Sequence, residues 1–330
     1  MAEPPVRASL RVSVIVPAFN AARTLAAALD SVLAQTMPPH QILVMDDGST
    51  DATASILDSY RSSISSFSQP NGGIAKARNA LCRKGDGDLI ALLDADDIWH
   101  PMYLERQQRN FALFPDAIAF FTGHRDFTGH GDYSWDPSEE AEAEPEIMGP
   151  REFLERYCAA TGLFGTSWVV FRSSVLSDVG QQPFRVHGAE DSYLFSQFPL
   201  LGQVGYSPTP LVARRITDDT VSSEALRGEE CRLEVFRIHE ERFRAEAPRG
   251  LFLLYEAAFA SKRRQYAKRL LGVGRTEEAR RQVRASFAQS KGLASRAKSA
   301  ALLVVSYLPT WLQPRWPAPR REWKGGEAST

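Results

Sequence analysis

The sequence predicts an α/β protein: a mostly parallel central sheet flanked by helices, followed by an α-helical C-terminal extension. Three observations predict it. Short apolar, largely β-branched runs recur through the first hundred residues, as strands covered on both faces require. Segments with apolar residues at helical spacing lie between those runs, and strands alternating with helices imply crossover connections. Beyond residue 225 the texture changes to long, Arg-rich helical stretches. The expected division is a flexible N-terminus over 1–10, a sheet domain over 11–225 and a basic helical extension over 226–330.

The elements follow in order. Val12 to Val16 (VSVIV) reads as the first strand and is closed by Pro17-Ala18-Phe19-Asn20. Leu25, Leu29, Val32 and Leu33 then recur at helical spacing, with Asn20 or Thr24 as the N-cap. Ile42 to Met45 is a second buried strand ending at Asp46-Asp47-Gly48-Ser49, and Thr50 or Asp51 caps the helix through Ile56 and Leu57. A short strand is expected near Ile64 to Phe67, a turn at Asn71-Gly72-Gly73, and a helix over IAKARNALCRKG. Leu89 to Leu93 is a strand again, with Asp97 expected to cap a helix beginning near Trp99-His100-Pro101. Residues 130–150 are acidic and turn-rich and are expected to form a mobile loop; 164–171 (FGTSWVVF) reads as a strand. Trp168 within it reads as core rather than as a sugar platform. Glu190-Asp191 opens a helix through Tyr193, Leu194 and Phe198. Residues 251–271 and 276–289, separated by Gly272-Val273-Gly274-Arg275, form an αα-hairpin.

Composition narrows the function. The chain has 330 residues and is 43% hydrophobic, enough for a substantial core. A net charge of −1 gives no reason to expect a nucleic-acid partner. Residues 228–330 hold 21 Lys+Arg against 11 Asp+Glu, so the extension is basic and the rest acidic. Cys82, Cys158 and Cys231 match no zinc spacing, which suits reduced thiols in a cytoplasm-like compartment. MAEPPVRASL lacks the apolar stretch of a signal peptide, and AALLVVSYLPTWL (300–312) is too short to span a bilayer.

The polar clusters at 17–20, 46–51 and 94–97 all follow strands, and ligands of such sheets bind at the carboxyl ends of strands. Asp94 and Asp96 are one residue apart, which in an extended segment puts both side chains on one face. Paired carboxylates repel and so favour a hard divalent cation, Mg²⁺ or Mn²⁺, whose open positions phosphate oxygens can fill. Alone, so short a pattern is equally compatible with surface decoration.

Five segments in order, VSVIVPAFNAARTLAAALDSVLAQT, ILVMDDGSTDAT, NGGIAKARNAL, LIALLDADD and AEDSYL, resemble the family 2 glycosyltransferases of the GT-A fold. The resemblance covers residues 11–222. It implies a nucleotide-sugar site: Pro17, Ala18 and Asn20 pack the base and ribose, and one of Asp46 and Asp47 contacts the base. A carboxylate there accepts the imide N–H of uracil or thymine, fitting a UDP- or dTDP-sugar. Gly72, Gly73, Lys76 and Arg78 resemble the Gly-rich stretch and basic helix, with Arg78 reaching the diphosphate or base and Lys76 equally readable as a solvated charge. Asp94-Ala95-Asp96 matches the family's Asp-x-Asp, with Asp96 the direct metal ligand and Asp94 nearer the ribose or sugar. Asp191 matches the catalytic base, Glu190 being the fallback; capping of a helix N-terminus is the alternative for both. Many relatives carry Arg-x-His later on, where Arg214-Arg215-Ile216-Thr217 puts Thr217 in place of His and leaves the third metal ligand open. His187 reads as a loop residue, and His124 stands where relatives contact the donor sugar.

The expected activity is inverting, metal-dependent sugar transfer to a hydroxyl of a glycan or lipid-linked acceptor in polysaccharide or glycolipid synthesis. The alternatives are a nucleotidyltransferase, against which PAFNAART after the first strand speaks, and a non-catalytic nucleotide-sugar-binding module. Arg263, Arg264, Lys268, Arg269, Arg280, Arg281 and Arg284 read as a basic surface. With Leu302, Leu303, Val304, Val305, Tyr307, Leu308, Trp311 and Trp316 they suit a peripheral dock on the inner face of a membrane. The same stretch could instead fold back on the sheet domain.

Overall fold

In the computed structural model the run VSVIVPA is β1 (Val12–Ala18), buried along its whole length. Chain order continues through α1 (Leu25–Leu33), β2 (Gln41–Asp46), α2 (Thr53–Ser59), β3 (Ser65–Ser68), α3 (Ile74–Cys82) and β4 (Leu89–Leu92). Then come β5 (Ile98–Trp99), α4 (Tyr103–Leu113), β6 (Ala117–Thr128), β7 (Glu146–Met148) and α5 (Pro150–Ala159). β8 (Val169–Arg172), α6 (Ser174–Val179), α7 (Glu190–Phe195), α8 (Phe198–Leu201) and β9 (Gln203–Ile216) complete the sheet region. Four helices follow: α9 (Ala225–Glu246), α10 (Arg249–Gly272), α11 (Thr276–Gln289) and α12 (Leu293–Val305). The structure describes residues 10–129, 133–135, 143–159, 163–180, 182–186, 188–216, 225–308 and 314. The chain divides into two compact units, Met1–Asp218 and Asp219–Thr330.

The sheet runs β3-β2-β1-β4-β8-β6-β9-β5, with β7 paired to β9. Its first four strands are parallel, the result of the strand–helix alternation seen in the sequence. β8 enters antiparallel between β4 and β6, β6 and β9 pair in parallel, and β5 and β7 add antiparallel to β9. Because β1, β2 and β4 point the same way, their carboxyl ends and the polar residues after them emerge at one edge. Ala18 lies opposite Asp46 in the ladder, and Leu93 N–H bonds to the Ile15 carbonyl just before the acids.

The core explains why the acids stay put. Phe121 on β6 is fully buried and meets Phe164 and Phe195 edge-on, at centroid distances of 4.9 and 5.1 Å. Side chains of that size contribute about 1.5–3 kcal/mol each by burial. Trp99 on β5 stacks on Tyr103 at 4.3 Å and donates Nε1–H to the Ser167 carbonyl at 2.6 Å, tying the post-acid strand to the segment before β8.

Several local expectations are corrected. Asp97 does not cap a helix: Ile98–Trp99 is a strand paired with β9, α4 begins only at Tyr103, and the Asp97 carboxylate accepts the Arg215 N–H at 2.9 Å. Thr24, not Asn20, holds the N-cap position of α1, without a side-chain bond. The N-cap position of α2 is Ala52, not Thr50 or Asp51, although Asp51 Oδ1 accepts the Thr53 N–H at 2.9 Å. Within 130–150, Glu146–Met148 is a strand and α5 begins at Pro150. The strand expected over 164–171 is confined to Val169–Arg172, because Thr166 and Ser167 turn their hydroxyls to the acid loop. His124 lies inside β6.

The helical unit contains the expected hairpin of α10 and α11, with Gly274 at φ +79° in the turn. Its Arg residues form less of an open surface than their number implied. Arg263 donates to Gln289 and Gln282, Arg264 to Ser286, Ser295 and Ser299, and Arg284 to the Tyr307 hydroxyl. Arg280 lies 3.8 Å from the Tyr307 ring centroid. These guanidiniums join one helix to another. No helix among the described residues is long and apolar enough to cross a membrane. Trp311 and Trp316 lie outside the described residues.

Candidate active site

The loop after β2 is built by its own acids. Asp46 Oδ1 accepts the Ser49 N–H at 2.9 Å, closing the turn through Gly48 at φ +77°. A Cβ on Gly48 would stand 2.7 Å from the Asn71 nitrogen, so only glycine lets the two loops meet. Asp47 Oδ1 accepts Gln69 Nε2 at 2.6 Å and the Gly72 N–H at 3.0 Å, while Oδ2 accepts the Gly73 N–H at 2.7 Å. Asp47 therefore shapes the glycine loop, and Gly73 at φ +85° leads directly into α3. Asn20, at φ +49°, donates its N–H to Ser49 Oγ at 2.9 Å and accepts the Thr50 N–H at 2.8 Å. Pro17 and Ala18 are the last residues of β1, so the first two polar clusters form one continuous rim. Lys76 is exposed, its stem lying over Gly72.

Asp94, Ala95, Asp96 and Asp97 form a tight turn rather than an extended segment, closed by the Asp97 N–H on the Asp94 carbonyl at 3.2 Å. The turn separates the roles of its acids. Asp94 Oδ1 accepts Arg78 Nη2 at 2.5 Å, Oδ2 accepts the Thr166 hydroxyl at 2.7 Å, and its N–H bonds to Ser167 Oγ at 3.0 Å. Asp97 is sealed inside, and burial, then Asp96 and Asp94, raise its carboxyl well above the usual carboxylate range. Burial, with Asp94 beside it, pushes Asp96 up to about 6 against the partial pull of Arg215 and Arg78. Arg215 spends Nε on the Asp96 carbonyl at 2.9 Å, not on its carboxylate.

Arg78 is the hub. Its guanidinium, on a residue only 1% exposed, donates Nη1 to Glu190 Oε1 at 2.9 Å and Nη2 to Asp94. Burial works against its charge, yet Asp94 and Glu190 raise its pKa above the ordinary value. The outward reach to a diphosphate implied by the resemblance is thus not the geometry present: both terminal nitrogens are engaged by carboxylates. Asp191 is the second residue of α7, directly after Glu190. Burial, then Glu190, pushes it up to about 6, with Arg78 pulling the other way. Four acids from two distant segments, Asp94, Asp96, Glu190 and Asp191, therefore lie in the field of one guanidinium.

His124 stacks flat on Trp168 at 4.1 Å, with Nε2 3.6 Å from Asp126. Burial, then Arg214, lowers its pKa against the attraction of Asp126. His187 and Thr217 lie outside the described residues. Among the described residues no group of three or more His, Cys, Asp or Glu side chains forms a metal cage. Thr166, Ser167, Gln69 and Asn79 support the site and were not singled out in the sequence, while Arg215, named there only within the Arg-x-His position, supports it through Asp96 and Asp97. The available signal was the Thr-Ser pair interrupting an otherwise apolar run.

Glycine-lined, acid-rich loops gather where β1, β2 and β4 end, the edge at which α/β sheets of this kind bind their ligands. The sequence model described as "Glycosyl transferase family 2" matches residues 13–177, half of the chain, and the protein belongs to that family. A UDP-Glc:alpha-D-GlcNAc-diphosphoundecaprenol beta-1,3-glucosyltransferase from Escherichia coli is 41% identical over 115 residues, covering 34% of this chain and 45% of that protein. The matches span less than half the length of such curated relatives. Among solved structures, S. aureus TarS 1–349 in complex with UDP-GlcNAc aligns with a TM-score of 0.65 and 16% identity over 90% of both chains. The Pyrobaculum calidifontis mannosyltransferase with GDP-Man and Mn²⁺ aligns with a TM-score of 0.60 and 21% identity over 94% of this chain and 84% of that one. At these identities the structural likeness establishes the GT-A fold.

Proposed function

We propose that this chain is an inverting, metal-dependent glycosyltransferase using a UDP- or dTDP-sugar and a hydroxyl acceptor in polysaccharide or glycolipid assembly. The observation that carries the reading is the convergence of Asp94, Asp96, Glu190 and Asp191 on Arg78 at the edge where β1, β2 and β4 end. The structural neighbours named as bound to UDP-GlcNAc and to GDP-Man with Mn²⁺ support the donor class.

The Asn20, Asp46 and Gly73 rim would take the nucleoside, with Ala95 and Lys76 at its margins. Asp96 fits a hard cation better than Asp94 does. Its carboxylate carries a pKa raised by burial and by Asp94, while both Asp94 oxygens are already bonded to Arg78 and Thr166. One carboxylate plus phosphate oxygens is an ordinary Mg²⁺ or Mn²⁺ donor set. Such a cation would supply neutralisation of charge on the departing diphosphate. Asp191 would remove the acceptor hydroxyl's proton as its oxygen attacks the anomeric carbon, and the electron pair of the breaking C–O bond leaves with the diphosphate. One displacement assisted by one base inverts the anomeric centre.

The class of donor is read out by thermal shift. UDP or dTDP should raise the melting temperature only when Mn²⁺ is present; no shift with any nucleoside diphosphate would defeat the reading. An acceptor at a membrane is supported by the exposed apolar residues Leu293, Val304 and Tyr307 on and after α12, at 88%, 65% and 56% exposure, within a basic unit. Val304→Glu combined with Tyr307→Glu should abolish co-flotation with anionic phosphatidylglycerol vesicles. Undiminished flotation would remove the membrane contact.

A further inference from the structure

Two consecutive residues of α3 grip the segment that leads into the acidic helix. Asn79 donates Nδ2 to the Phe184 carbonyl at 2.8 Å and accepts the Phe184 N–H through Oδ1 at 3.0 Å. Arg78 holds Glu190, at the first position of α7, and reaches back to Asp94 on the other side. Between the grips Val186 sits at φ +62°, a conformation a β-branched residue adopts only when its surroundings impose it. Ala189 N–H closes the turn on the Val186 carbonyl at 2.9 Å. Asn79 and Arg78 are both buried, and their bonds run to protein atoms on either side of the site.

We propose that Arg78 and Asn79 are positioning residues: α3 fixes the start of α7 to the acid turn after β4, so that the acceptor-side base and the donor-side acids share one rigid frame. The inference rests on the proposed function, with Asp191 as base. It moves Arg78 from nucleotide ligand to strut. A frame of this kind controls turnover rather than donor affinity, because a displacement of about 1 Å at reacting groups costs about 10²-fold in rate. The planar fork of Arg is required: a Lys ammonium keeps the charge but lacks the two-pronged geometry that spans both carboxylates.

The test uses the full chain with Mn²⁺ and UDP-glucose or UDP-N-acetylglucosamine, reading UDP release in steady state and UDP affinity by calorimetry. Arg78→Lys should lower kcat by about 10²-fold, and Asn79→Ala, which touches no acid, by about tenfold, on the misplacement scale above. KM for the donor and Kd for UDP should stay within about twofold in both, since neither residue is a nucleotide ligand. A tenfold or greater loss of UDP affinity in Arg78→Lys with kcat unchanged would make Arg78 a phosphate ligand and overturn the inference. So would unaltered turnover in Asn79→Ala. Asp191→Asn, run alongside, keeps the two claims apart. If it alone loses turnover, the strut is wrong and the proposed function stands. If it retains full turnover, the assignment of the base fails first.

Discussion

Asp191→Asn is expected to lower turnover by about 10²–10⁴-fold, the usual range for a lost general base, while UDP affinity stays within about twofold. Asn keeps the size of the side chain and its ability to accept the Ser192 N–H, now at 2.5 Å from Asp191 Oδ1. What it loses is the capacity to take a proton. Burial first, and Glu190 next, raise Asp191 to about 6. A base works only when deprotonated, so a raised pKa moves the loss of activity to higher pH than an ordinary aspartate would give. Turnover should therefore fall as pH drops through about 6 and level off above it. The residual rate of the Asn variant should lack that limb. A non-catalytic binding module would be indifferent to the substitution.

Asp96→Asn is expected to remove the Mn²⁺ dependence of nucleotide binding and to lower turnover by about 10²–10³-fold, the scale of several kcal/mol supplied by a cation at a diphosphate. Its neighbour provides the contrast. Asp94→Asn should leave some cation dependence in place, because Asp94 is held by Arg78 and Thr166 and acts mainly through the shape of the turn. Its defect should appear instead in stability, since removing one partner leaves the buried Arg78 charge compensated by Glu190 alone in direct contact. Calorimetry of UDP binding with and without Mn²⁺ separates the two variants. Equal cation dependence in the native chain and Asp96→Asn would place the metal elsewhere.

The parts of this protein that were legible in the sequence are those written in local pattern. VSVIV, ILVM and LIALL are apolar runs too dense for an exposed surface, and each became a buried strand of the parallel half-sheet. The acids after them could be seen as strand-end residues for the same reason. Partners at long range could not be seen. Arg78 and Glu190 are 112 residues apart, Asp94 and Thr166 are 72 apart, and Asp97 and Arg215 are 118 apart. Nothing local to a helical IAKARNAL announces that its arginine points inward to two carboxylates. The same limit explains the misread Asp97. An acid ahead of Trp-His-Pro has the pattern of a helix cap, but β9 supplied a strand partner for Ile98–Trp99 and an N–H for the carboxylate. The repulsion among the acids at 94–97 is therefore offset first by the chain itself, through Arg78 and the Arg215 backbone. In the proposed function, Asp96 is the acid that takes the cation, since both Asp94 oxygens are bonded within the chain.

That division of labour is tested most directly by a crystal structure of the full chain with UDP and Mn²⁺, using the anomalous signal of manganese. The account expects the manganese signal at the Asp96 carboxylate, beside the diphosphate, with Arg78 still joining Asp94 to Glu190. Manganese and diphosphate bound away from Asp96, or a guanidinium of Arg78 swung out onto the phosphates, would contradict it.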